Sequence, residues 1–165
     1  MRKLSITIIL RILLIISFAI LVFMQVKATQ LSQLFLNKEI SYEYYKEHDI
    51  NNGWFTVIFL VLAMINSMYT QYISKKRNNG RILMKEIVLP EVNLDNDERE
   101  LEITGKSAKA AFSVIIVATF IMLTIFTLVI PYLENPLPYS VFLIAALPII
   151  GLLAYFIAYK VLYAR

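Results

Sequence analysis

Cysteine is absent from the 165 residues, which excludes a disulfide framework, a thiol nucleophile and any cysteine-based metal site. Thiol usage therefore leaves no mark of the redox compartment. Histidine occurs once and glycine four times, and no glycine-rich phosphate-binding loop is present. Charged residues make up only 17% of the chain against 59% hydrophobic ones, and the mean hydropathy is +0.66. That is far too apolar for a water-soluble domain of this size, so composition points to an integral membrane protein.

Four apolar segments are long enough to cross a hydrocarbon core of about 30 Å as helices. They cover approximately residues 7–26, 54–72, 110–130 and 139–159. The second would measure about 28 Å, and the third and fourth about 31 Å each, at 1.5 Å per residue. A membrane barrel needs apolar and polar residues in alternation, whereas these runs are apolar on every face, so the expected fold is an all-α membrane protein forming a single membrane domain.

Lysine and arginine near the helix ends set the expected orientation. Arg2, Lys3 and Arg11 flank the first span, Lys75, Lys76, Arg77 and Arg81 follow the second, Lys106 and Lys109 precede the third, and Lys160 and Arg165 follow the fourth. With four spans, all of these fall on one side. The other side carries Lys27, Lys38 and Lys46 against Glu39, Glu43, Glu47 and Asp49, then only Glu134 in the outer turn 131–138. Both termini and the middle loop, residues 73–109, are thus expected in the cytoplasm of a cell with a plasma (inner) membrane. A cleaved signal peptide is the rival reading of the first span, with Met1–Lys3 as its basic region and Val26-Lys27-Ala28 as the cleavage site. Arg11 and the length of the apolar run favour a retained span.

The outer loop, residues 27–53, begins with Leu31, Leu34 and Phe35 at helical spacing, which predicts a helical extension at the interface. Tyr42, Tyr44, Tyr45 and Trp54 suit the lipid headgroup level, and an aromatic belt is preferred to a ligand cage. His48 sits among Glu43, Glu47 and Asp49, where a solvated residue is the expectation rather than a metal ligand.

In the cytosolic loop the signs are segregated, with bases near the membrane ends and acids between Glu86 and Glu102. Such edges suit an anionic inner leaflet. KKRNNGR is short and adjoins a span, so positive-inside anchoring explains it and no nucleic-acid partner is expected. Asp95 or Asp97 can cap a new helix, with Glu98 or Glu100 three residues on, after Pro90 has ended what precedes. Glu102 and Lys106 stand at i, i+4 in the favourable order, and the helix can run through Ala108, Ala110 and Ala111 into the third span. The six acids from Glu91 to Glu102 include no histidine partner and no nucleophile arrangement, so neither enzymatic activity nor a cofactor is expected.

The residues DERELEITGKSA, Asp97 to Ala108, resemble the D-E-R-x-x-x-I-x-x-K-x-A signature of several families of small four-helix membrane proteins of Gram-positive bacteria and archaea. The match rests on Asp97, Glu98, Arg99, Ile103, Lys106 and Ala108 within a stretch of 12 residues; Ser107 stands where alanine is common, and Gly105 weakens a helix. The resemblance places the motif in the cytosolic loop before the third span. It implies a membrane module, often encoded beside a helix-turn-helix regulator or transporter components, with no established activity and no catalytic residue.

No Asp, Glu, Lys or His lies within the central parts of the spans, which disfavours a self-contained ion-coupled transporter. Asn66, Ser67 and Thr70 form a polar patch in the second span; Ala63-x-x-x-Ser67 and Ala154-x-x-x-Ala158 allow close helix approach, and Pro148 and Gly151 can kink the fourth span. The expected function is non-enzymatic: an accessory or regulatory subunit whose cytosolic helix, through Asp97, Glu98, Arg99, Glu100 and Lys106, docks a transporter component or a soluble regulator. The alternatives are an immunity protein that meets a membrane-active peptide or toxin through Tyr42, Tyr44, Tyr45 and Trp54, and a small transporter built as a homo-oligomer and sensitive at Asn66 and Thr70.

Overall fold

The computed structural model describes residues 2–51, 53–77, 98–133 and 136–164. Five helices account for most of them: α1 (Arg2–Leu36), the short α2 (Tyr42–Glu47), α3 (Gly53–Arg77), α4 (Glu98–Leu128) and α5 (Pro136–Ala164), with a 3-10 turn at Ile130–Tyr132. No strand occurs among the described residues. Four of the helices, all but α2, are long and apolar enough to cross a membrane. Each exceeds its apolar run. At 35 residues α1 is about 52 Å long, far more than a hydrocarbon core of about 30 Å requires.

Among the described residues the helices pack in the order α3, α1, α5, α4: α1 touches α3 on one side and α5 on the other, and α4 touches α5 but not α3. Aromatic pairs mark the seams. Phe18 meets Phe59 across α1 and α3 with ring centroids 5.4 Å apart, and Phe23 meets Phe142 across α1 and α5 at 4.9 Å. Since α1 and α4 start where α3 and α5 finish, Leu4 and Ile8 lie at the same end as Ile103, Ala111, Tyr155 and Tyr159, with which they form the buried cluster.

Away from that cluster much of the apolar surface is not covered by neighbouring helices: Val57, Met64, Met68, Phe120 and Leu123 all face outward, an exposure suited to helices that are apolar on every side. Within the cluster, burying a side chain such as Leu4 or Ile103 away from water is worth about 1.5–3 kcal/mol.

At the opposite end α1 closes with a Schellman motif. The Lys38 N–H donates to the Phe35 carbonyl and the Glu39 N–H to the Leu34 carbonyl, both at 3.0 Å, while Lys38 takes φ of 61°. The chain then turns back into α2, whose N-terminus is capped by the Ser41 hydroxyl accepting from the Tyr44 N–H.

Pro148 lies inside α5, which continues as a single helix through it. Gly151 has a packing role, since Ile115 of α4 occupies the space a β-carbon would need.

Candidate functional site

The stem of α4 precedes its apolar part by about three turns. It begins at Glu98, with Glu98 and Glu100 in the first turn at the positive end of the helix dipole. One stripe of it faces inward: Ile103, Ser107 and Ala111 are buried, and Ser107, with 0% exposure, donates its hydroxyl to the Ile103 carbonyl at 2.8 Å. The outer stripe, Glu98, Leu101, Glu102, Lys106 and Lys109, is exposed, and so is Arg99, which stands one turn before Ile103 at the head of the inner row. The stem is thus held on one side and charged on the other.

The residues of the DER-type motif divide between these two stripes. Glu98 and Arg99 are exposed, Ile103 is buried, and Ala108 packs against the cluster. Lys106 forms an ion pair with Glu102 at 2.7 Å, the i, i+4 pair expected from the spacing. The hydrogen bond from Lys106, and its charge, hold the Glu102 carboxyl below the usual carboxylate range. Glu100 is half-buried and within electrostatic reach of Tyr159 of α5, so it belongs to the inward side. Asp97 lies outside the described residues, as do Arg81, Lys85, Glu86, Pro90, Glu91, Asp95 and Glu134.

The tyrosines of α5 form a feature that the uniformly apolar fourth span conceals in the sequence. Tyr155 and Tyr159 are 5% and 7% exposed, and their rings continue to Tyr163 in a ladder with centroids 6.1 and 5.9 Å apart. Their spacing at i, i+4 and i+8 in YFIAYKVLY was the available signal. Arg11 is half-buried beside this ladder, within electrostatic reach of Tyr155.

At the other end the four outer aromatics have different roles. Tyr45 stacks on Phe35 at 5.0 Å and ties α2 to the end of α1. Tyr44 stacks on His48 at 4.0 Å, and the same histidine places its Nδ1 3.0 Å from the Tyr44 carbonyl. Tyr42 also meets Phe35, with ring centroids 6.1 Å apart, yet stays 64% exposed, and Trp54 is 75% exposed. Among the described residues no group of three or more His, Asp or Glu side chains is placed to hold a metal ion.

The polar patch of α3 lies against α1. Asn66 and Thr70 are half-buried on the stripe that also carries Phe59, Ala63 and Ile73, and α1 is the neighbour of α3. The Thr70 hydroxyl donates to the Asn66 carbonyl at 2.8 Å. Ser67 is exposed and accepts from Gln71 Nε2 at 3.3 Å, so of Ala63-x-x-x-Ser67 it is Ala63 that lies on the stripe toward α1. Ala154 and Ala158, by contrast, line the α4 and α5 seam together with Ala110. No protein-family model, curated protein or solved structure matches this chain.

Proposed function

We propose that the protein is a non-enzymatic, four-span membrane protein with both termini in the cytoplasm, acting as an accessory or regulatory subunit that docks a partner through the stem of α4. The observation that carries this reading is the two-sided stem. Its inner stripe is anchored by Ile103, Ser107 and Ala111, so the outer charges of Glu98, Glu102 and Lys106, with the exposed Arg99 at the head of the inner row, are displayed on an anchored helix beyond the apolar run. A preorganised charged face loses little entropy on binding, and arginine adds directional hydrogen bonds to a carboxylate or carbonyl on the partner. The orientation rests on lysines: Lys3, Lys75, Lys106, Lys109 and Lys160 gather at the stem end, as the positive-inside rule requires of a cytoplasmic face.

The partner fitting this surface is a transporter component or a soluble regulator with a mixed-charge face. Crosslinking in cells that express a tagged copy, with Arg99→Glu in parallel at equal expression, tests the reading by identifying what co-purifies. A specific protein recovered with wild type and lost with Arg99→Glu is the expected result. Recovery of the same proteins with both, or of the tagged chain alone, contradicts docking through the stem.

A second reading, recognition of a membrane-active peptide outside the cell, is favoured by one observation. The region after α1 is built, with α2 pinned to Phe35 and Tyr42 and Trp54 directed outward. It predicts loss of protection in Tyr42→Ala and Trp54→Ala, with Arg99→Glu unaffected.

A further inference from the structure

Two hollows meet along the seam between α4 and α5. One, of about 490 Å3, is lined by Ala110 and Val114 of α4 and by Ile150, Ala154, Ile157 and Ala158 of α5. The next, of about 450 Å3, shares Val114 and Ile150 and continues past Val117 and Ala118 to Ile121. The small side chains at residues 110, 154 and 158 create the furrow, since a larger one would fill it. Ser113 is the polar exception, and its hydroxyl donates to the Lys109 carbonyl within its own helix at 3.1 Å. From Ala110 to Ile121 the furrow is about 17 Å long, close to half of a hydrocarbon core of about 30 Å and hence the depth of one leaflet.

Its shallow end opens among lysines. Lys109 immediately precedes Ala110, Lys106 stands four residues before Ala110 on the same face, and Lys160 lies two residues beyond Ala158; all three are exposed. Glu102 engages Lys106. The larger groove on the other side, about 800 Å3, lies between Phe18, Phe59, Ile144 and Pro148; like the furrow it has no charged side chain in its lining, and the lysines stand at the furrow's end and not along its wall.

We propose that the α4 and α5 furrow holds one acyl chain of an anionic phospholipid whose phosphate is met by Lys109 and Lys160. The inference rests on the reading that these helices span a bilayer with the stem end at its anionic leaflet. The furrow supplies the length and apolar lining for the chain, and the two ammonium groups select an anionic headgroup over a zwitterionic one. A lipid seated there would brace α4 against α5 directly below the stem.

The test is native mass spectrometry of the full chain extracted gently from vesicles of equimolar phosphatidylglycerol and phosphatidylcholine. Wild type is expected to retain one phosphatidylglycerol in clear excess over phosphatidylcholine, and Lys109→Gln with Lys160→Gln to lower that retention about tenfold. Ala154→Leu fills the furrow without changing charge and is expected to abolish retention; Ala110→Leu does so from an exposed position, should Ala154→Leu disturb folding. Arg99→Glu is expected to retain the lipid, which keeps this outcome separate from that of partner docking. Equal retention of the two lipids, or undiminished phosphatidylglycerol on the double lysine variant, overturns the proposal.

Discussion

Gly151 of α5 faces Ile115 of α4 so closely that a β-carbon at residue 151 would stand 2.5 Å from Ile115 Cδ1 and 2.9 Å from Cγ1. Alanine there would gain about 0.5–1 kcal/mol in helix propensity but overpack a filled site at about 1–3 kcal/mol. Gly151→Ala is therefore expected to destabilise by about 1 kcal/mol, and Gly151→Leu by about 3 kcal/mol. Unfolding in detergent should show Gly151→Ala becoming neutral or stabilising in an Ile115→Ala background. Equal costs in both backgrounds would contradict the contact.

Lys38 holds a left-handed conformation at the end of α1, with φ of 61°. For a residue with a β-carbon this costs about 1–2 kcal/mol, which glycine avoids. Lys38→Gly is expected to raise stability by about 1 kcal/mol, measured by the same unfolding assay, and Lys38→Val to lower it. A loss on Lys38→Gly would show that the lysine side chain contributes more than its backbone costs.

Ser107 is fully buried, with its hydroxyl bonded inside its own helix. Alanine at this position removes one local hydrogen bond and improves helix propensity, so Ser107→Ala is expected to lie within about 0.5 kcal/mol of wild type. Ser107→Leu overpacks the stem against its neighbours and should cost about 2 kcal/mol or more. Protease accessibility of the stem would report the same order: unchanged in Ser107→Ala and raised in Ser107→Leu.

The Glu102 carboxyl titrates below its usual value of 4.5 because Lys106 donates to it. A depressed folded-state value means that the pair contributes at neutral pH, and that its contribution is lost as pH falls below 4.5 and through the folded value. Carboxyl NMR titration of Glu102 in wild type and Lys106→Met checks this. The variant is expected to titrate at the ordinary carboxylate value; superimposable curves would dismiss the ion pair.

Much of this architecture was legible in the residues, because the features concerned are local. The four long helices follow from apolar length, and the Glu102 and Lys106 pair follows from the i, i+4 rule. The packing order α3, α1, α5, α4 was not legible. Segments apolar on every side carry no stripe that marks a facing neighbour. For the same reason Gly151 read as a kink and proved to be a close contact, while Tyr155 and Tyr159 showed no inward preference until α1 and α4 were set around them. The tyrosines of α2 differ in their partners, since Phe35 meets the rings of Tyr42 and Tyr45 while His48 takes that of Tyr44.

The absence of cysteine makes the topology directly measurable, since single cysteines can be introduced without background. Ser41→Cys and Asn51→Cys at one end, and Lys75→Cys, Lys109→Cys and Lys160→Cys at the other, would be exposed in intact cells to a maleimide that does not cross membranes. A bilayer-spanning chain with its stem in the cytoplasm predicts labelling at residues 41 and 51 only, with 75, 109 and 160 labelled after permeabilisation. Labelling of all three stem-end positions in intact cells, or of both ends alike, would contradict it.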